Sequence, residues 1–153
     1  MYTFNSKIKK ILYMTIIAVL AIALCTGCGG ERKEKQRELR LKGITLMENG
    51  KYEEALAEFQ GALDLSLGKV GEIEMDICFY KAEAQYMLGD IEGAMATYTA
   101  IVEFNENAKA YLLRGNLAYS QGDEEAALKD YAAAIAQEKK DYGLYIGVYE
   151  ALM

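Results

Sequence analysis

The chain has 153 residues and a net charge of −6, and it contains neither histidine nor proline. Imidazole is the commonest general base near neutral pH and the commonest zinc ligand, so its absence excludes Ser-His and Cys-His nucleophile pairs and most zinc sites from this polypeptide alone. The lack of proline, together with long runs of Ala, Glu, Leu, Lys and Tyr, favours an all-α chain of one domain's length.

The first thirty residues follow the order of an export leader. Lys7, Lys9 and Lys10 form a positive segment, and no acidic residue precedes Glu31. Ile11 to Leu24 is a 14-residue apolar run broken only by Thr15. That is shorter than the roughly 20 residues of a spanning helix, although adding Cys25 to Cys28 keeps an uncleaved transmembrane anchor open as an alternative. Cys25 and Cys28 have the CxxC spacing of a redox pair or half a zinc site, but no βαβ pattern, second such pair or histidine accompanies them.

Gly27-Cys28, closed off by the small residues Thr26, Gly29 and Gly30, resembles the lipobox of a bacterial lipoprotein signal peptide. Cys25 stands where that family usually has leucine. The resemblance implies that residues 1–27 are a signal peptide cut before Cys28, and that the Cys28 thiol carries a diacylglycerol with palmitate-like chains. It also implies residence at the cell membrane on the extracytoplasmic face. Two acyl chains suffice for stable anchoring where one is marginal. Cys78 would then be the one free thiol of the mature chain.

Residues 28–35 read as a charged tether, with helix emerging near Gln36 in "ERKEKQRELR". Loss of the three leader lysines leaves 14 basic residues against 23 acidic ones, a net charge of −9. Such a balance argues against nucleic acid or an anionic lipid surface as a partner.

From there the chain repeats itself. "KGITLMENGKYEEALAEFQGALDL", "KAEAQYMLGDIEGAMATYTAIVEF" and "RGNLAYSQGDEEAALKDYAAAIAQ" share a small residue (Gly43, Ala82, Gly115), a glycine (Gly50, Gly89, Gly122), an alanine (Ala55, Ala94, Ala127) and an aromatic (Phe59, Tyr98, Tyr131). The pattern predicts helical hairpins. Glycine takes the positive φ that ends one helix, and Lys51, Asp90 or Asp123 follows, the two aspartates being able to cap the next. The small residues allow close approach of the backbones, and the aromatic fills the space between successive hairpins. A single hairpin cannot bury its own apolar face, so the units must stack.

This spacing resembles the tetratricopeptide repeat, over residues 36–141, with repeats at 36–69, 75–107 and 108–141. The family's tryptophan is replaced by Leu39, Cys78 and Tyr111, and its closing proline is missing. The turn glycines lie 39 and then 33 residues apart, against about 34 in the family; the surplus falls in "LSLGKVGEIEMD", which should lengthen the first connection or its flanking helices. The resemblance implies an α-solenoid whose first helices line a concave groove for a peptide or partner protein. Groove positions correspond to Arg40, Ile44 and Met47, to Phe79, Glu83 and Tyr86, and to Lys109, Leu112, Asn116 and Tyr119. Met47 and Tyr86 can equally be read as core between repeats. The carboxylate clamp of chaperone-type repeats is not reproduced. At its positions stand Arg40, Ile44, Tyr80, Lys109 and Leu113, of which Lys109 matches and Arg40 could substitute.

Residues 142–153 have the apolar spacing of another first helix, with Leu144, Ile146, Val148 and Leu152 among Tyr142, Tyr145 and Tyr149. This helix reads as the start of a truncated repeat or as a surface that docks on a partner. Glu53, Glu54, Glu58, Glu124 and Glu125 follow the turns and read as solvated faces, and Cys78 has no base beside it. No enzyme, cofactor or metal is therefore expected. The expectation is a membrane-anchored scaffold for an unidentified protein or peptide, with a glycan-binding or cell-wall-associated module as the alternative, since tyrosine-rich grooves also stack sugars.

Overall fold

The computed structural model describes Met14, residues 29–138 and residues 141–153. Cys25, Cys28 and most of the apolar run before them lie outside the described residues. From residue 29 onward the described residues form seven helices and no strand. They are α1 (29–48), α2 (Tyr52–Asp64), α3 (Glu72–Met87), α4 (Ile91–Asn105), α5 (Ala108–Ser120), α6 (Glu124–Gln137) and α7 (Tyr142–Leu152). Each packs on the next in a linear array, and α7 closes against both α5 and α6.

The turn glycines behave as the repeat pattern predicts. Gly50, Gly89 and Gly122 have φ of 71°, 79° and 82°. At each, the glycine N–H and the N–H after it reach back to the last turn of the helix. In the second hairpin Gly89 N donates to Tyr86 O at 2.9 Å and Asp90 N to Gln85 O at 2.9 Å, the paired bonds that satisfy carbonyls at a helix end. Asp90 Oδ1 then accepts from Gly93 N at 3.0 Å and Asp123 Oδ1 from Ala126 N at 3.1 Å, while Lys51 makes no such cap. Asn107 and Asp141 cap α5 and α7 in the same way.

Packing follows from the small residues. A Cβ on Gly43 would lie 2.5 Å from the Phe59 ring, and one on Gly115 would lie 2.7 Å from the Tyr131 ring. Neither contact is tolerable, so these positions hold glycine because an aromatic of the paired helix occupies the space. Ala55, Ala62, Ala82, Ala94, Ala127 and Ala134 are all fully buried. Phe59 also stacks on Tyr80 of the next hairpin, with ring centroids 5.9 Å apart.

Two boundaries differ from expectation. The stretch read as a tether is helical from residue 29, ahead of Gln36. Lys35–Glu38 and Glu34–Arg37 pair along the helix at 3.0 and 3.6 Å, and Gln36, buried to 4% exposure, donates to Glu74 Oε1 on α3 at 2.7 Å. The exposed pairs add only a few tenths of a kcal/mol, so the tie from Gln36 to the second hairpin is the stronger anchor. Helix α3 begins at Glu72 rather than 75, because the Glu74 carboxylate reaches back to accept from Gly71 N at 2.9 Å. The surplus between the first two repeats goes to both places expected: residues 65–71 form a long connection, and α3 has 16 residues where α5 has 13. Leu67 and Gly68 take positive φ (53° and 75°) within that connection.

Candidate functional site

The face built from α1, α3 and α5 carries the residues singled out from sequence, but it treats them unequally. On α1, Arg40 forms an ion pair with Asp76 of α3 and lies 5.7 Å from the centre of the Tyr80 ring. Ile44 and Met47 are half-buried against the cluster around Phe59. These groups are committed to holding the first two hairpins together. Phe79, half-buried, packs on the cluster around Tyr98, with ring centroids 6.4 Å apart. Lys109 is exposed, with its Nζ 4.7 Å from the centre of the Phe79 ring. Leu112 turns to α7, where a Cβ on Gly147 would approach it to 3.3 Å. Tyr119 is half-buried in the cluster with Tyr131 and Val148.

Between α3 and α5 the packing opens. A cavity of about 250 Å³ is lined by Tyr86, Tyr98, Leu113, Asn116, Leu117 and Ser120. Tyr86 is 48% exposed at its edge and Tyr98 only 6% exposed at its base. Residues 113, 116, 117 and 120 fall on one helical face by their i, i+3, i+4 spacing. Asn116 Oδ1 is buried without a hydrogen-bond partner. Ser120 uses its proton on Leu117 O at 2.7 Å. Glu83, one turn before Tyr86, is exposed and forms no ion pair among the described residues. Burial, with Glu83 nearby adding to it, pushes the Tyr98 hydroxyl up to about 12, so this tyrosine is neutral at any physiological pH.

Tyr86 and Asn116 thus line one cavity, with Glu83 one turn before Tyr86 on α3, while Arg40 belongs to another seam. Tyr98, Leu113, Leu117 and Ser120 were not anticipated as lining. Their helical spacing from Asn116 is visible in sequence, but the gap they enclose depends on neighbours from three helices. A buried ion pair was also missed: Arg114 holds Asp130 with two hydrogen bonds of 2.7 Å, reaches Thr99 at 3.2 Å, and lies over Tyr111. The pair ties α5 to α6 within the third hairpin, the bond to Thr99 reaches α4 of the second, and Asp130 in turn raises the Arg114 pKa.

The carboxylates weighed as acids are solvated or paired. Glu53, Glu54, Glu124 and Glu125 are exposed, and Glu58 accepts from Lys42 Nζ at 2.7 Å. The half-buried Cys78 thiol is pushed up by burial, with Lys81 opposing and Glu74 adding, which disfavours the thiolate. Among the described residues no cluster of His, Cys, Asp or Glu is arranged to hold a metal ion, and no helix is long and apolar enough to cross a membrane.

The class these helices define is a stacked array of helical hairpins with an open seam on its first-helix face. The chain belongs to the tetratricopeptide repeat family, whose model matches residues 40–108 and 99–142. No curated protein matches the chain. Its fold is similar to the first such domain of Spaghetti (RPAP3), solved bound to an HSP90 peptide, with 22% identity, a TM-score of 0.63, and coverage of 78% of this chain and 91% of that one. It is similar to the domain of Arabidopsis FLU, at 24% identity and a TM-score of 0.63, covering 72% and 99%. It is also similar to PcrH, solved with the chaperone binding region of PopB, at 16% identity and a TM-score of 0.63, covering 77% and 92%.

Proposed function

We propose that the chain is a membrane-anchored scaffold that binds a peptide or partner protein on the face of α1, α3 and α5, outside the cytoplasm of a bacterium. The observation that carries the binding reading is the seam between α3 and α5, where a cavity, an exposed tyrosine and an unpartnered buried amide oxygen lie together. Core packing alone would close such a gap or pair such an oxygen. Two of the similar folds, RPAP3 and PcrH, were solved with a peptide or a partner's binding region, which supports an extended or helical segment as the occupant here.

The anchor reading rests on the basic segment, the short apolar run and the Gly27-Cys28 pair. Cys28 then bears two acyl chains that tether the array to the bilayer. Cys28→Ala should leave the leader uncleaved and abolish labelling by a radioactive fatty acid; a Cys28→Ala protein that stays membrane-bound at mature size would contradict the anchor. For the groove, the full chain should retain protein partners and not immobilised peptidoglycan. Retention on peptidoglycan alone would contradict the protein-binding reading in favour of a glycan module.

A further inference from the structure

The seam between α3 and α5 has a chemistry that narrows what it accepts. Its cavity of about 250 Å³ is smaller than the roughly 300–1,000 Å³ of pockets that engulf a small molecule, so it suits one side chain of a larger ligand. Its polar lining offers acceptors. Asn116 Oδ1 is buried and unpartnered, and the Ser120 proton is already spent on a backbone carbonyl. Glu83 adds a carboxylate that no cation of the described chain neutralises. Elsewhere on this face the protein lays its own cations over aromatic rings: Arg40 over Tyr80 at 5.7 Å and Lys109 over Phe79 at 4.7 Å. Tyr86 has none. An acidic or purely apolar side chain would leave the Asn116 oxygen unpaired, and an acidic one would also meet the charge of Glu83, which acts on Tyr98 at the base of the cavity.

We infer that this seam is the receptor for a basic side chain of the bound peptide, an arginine or lysine whose stem lies between Tyr86 and Leu117 and whose cationic head pairs with Glu83 and Asn116 Oδ1. The inference deepens the peptide-binding reading and rests on it. The aliphatic stem matches the apolar walls, as long basic side chains do when only the head must remain polar. The head supplies an N–H donor to the unpartnered Asn116 Oδ1 and a charge that both a carboxylate and a tyrosine face attract.

The test uses the full chain in detergent micelles and three fluorescein-labelled heptapeptides, Gly-Ser-Leu-Xaa-Leu-Ser-Gly with Xaa as Arg, Leu or Glu, read by fluorescence anisotropy. The Arg probe should bind about tenfold more tightly than the Glu probe, as expected for adding an attraction and removing a repulsion at one carboxylate. Glu83→Gln and Asn116→Leu should each weaken the Arg probe by about fivefold, the scale of one charge-assisted hydrogen bond. Both should leave the Leu probe unchanged. Glu53→Gln, on exposed α2, should alter no probe, and circular dichroism should show equal helicity in all variants. If the Leu probe binds as well as the Arg probe, or Glu83→Gln costs no more than Glu53→Gln, the basic-side-chain receptor is overturned while the groove reading survives. If no probe binds, both fall.

Discussion

The seam joining the first two hairpins and the seam joining the second and third differ in the fate of their polar groups. In the first, Arg40 meets Asp76, Gln36 meets Glu74, and Phe59 presses on glycine and stacks on Tyr80, so that each group has a partner within the fold. In the second, Arg114 of α5, held by Asp130 of α6, reaches Thr99 of α4, but the first-helix face is left with a cavity and an orphaned amide oxygen. The same repeat pattern thus yields one seam where Arg40 and Gln36 are paired by neighbouring residues and one with a buried acceptor that a ligand would complete. The contrast is also visible at the small-residue positions: Gly43 is filled by Phe59, whereas the second hairpin has Ala82 there, and its aromatic, Tyr98, lines the cavity.

Truncating the aromatic of each seam tests this contrast with the largest expected effect. Phe59→Ala should cost about 3–5 kcal/mol in urea unfolding of the full chain, because a fully enclosed ring leaves a cavity that cannot collapse. Tyr98→Ala, beside space already open, should cost about 2–3 kcal/mol. Equal losses would mean that the two seams are equally packed. Arg40→Ala should be milder, at about 1 kcal/mol, since the side chains of Arg40 and Asp76 are 27% and 42% exposed and water screens the pair. Its effect should be confined to hydrogen exchange near the first seam.

Asn116→Leu should move stability the other way, raising it by up to about 1 kcal/mol, because an unpaired buried acceptor is replaced by an apolar group. A loss of stability on this change would show that the Asn116 oxygen already has a use in the free fold. The smallest effect is on pH dependence. Burial works against ionisation of Glu74, yet hydrogen bonds from Gln36 and from the backbone at Gly71 and Glu74 hold its carboxyl below its ordinary value of 4.5. A carboxyl lowered by folding stabilises the native state above its unfolded pKa and loses that contribution as pH falls through the lower folded value. Gln36→Ala should therefore lower stability at neutral pH and flatten the acid limb below pH 4.5, the deficit against the parent chain shrinking as pH falls.

The hairpins were legible in sequence because their signals are local. A glycine at positive φ, an aspartate after it and an alanine facing an aromatic are set by backbone sterics and helical spacing, and the structure places Gly89, Asp90 and Ala94 as that logic requires. The start of α1 was less legible, since a polar stretch such as Glu31 to Lys35 is helical only with the help of a partner one hairpin away. The site was half legible. Tyr86 and Asn116, singled out by spacing, both line the cavity. That Tyr98 would line a cavity as well as fill the core, and that Arg40 would be spent on Asp76, depend on contacts between different helices, which no local pattern encodes.

The most direct measurement is photo-crosslinking in living cells from a benzophenone amino acid placed at position 86, at the mouth of the seam, and separately at position 128, where Leu128 is 54% exposed on α6. The account predicts discrete adducts with protein-derived peptides from position 86 and none of these from position 128. Identical adducts at both positions, or glycan adducts alone at position 86, would contradict it.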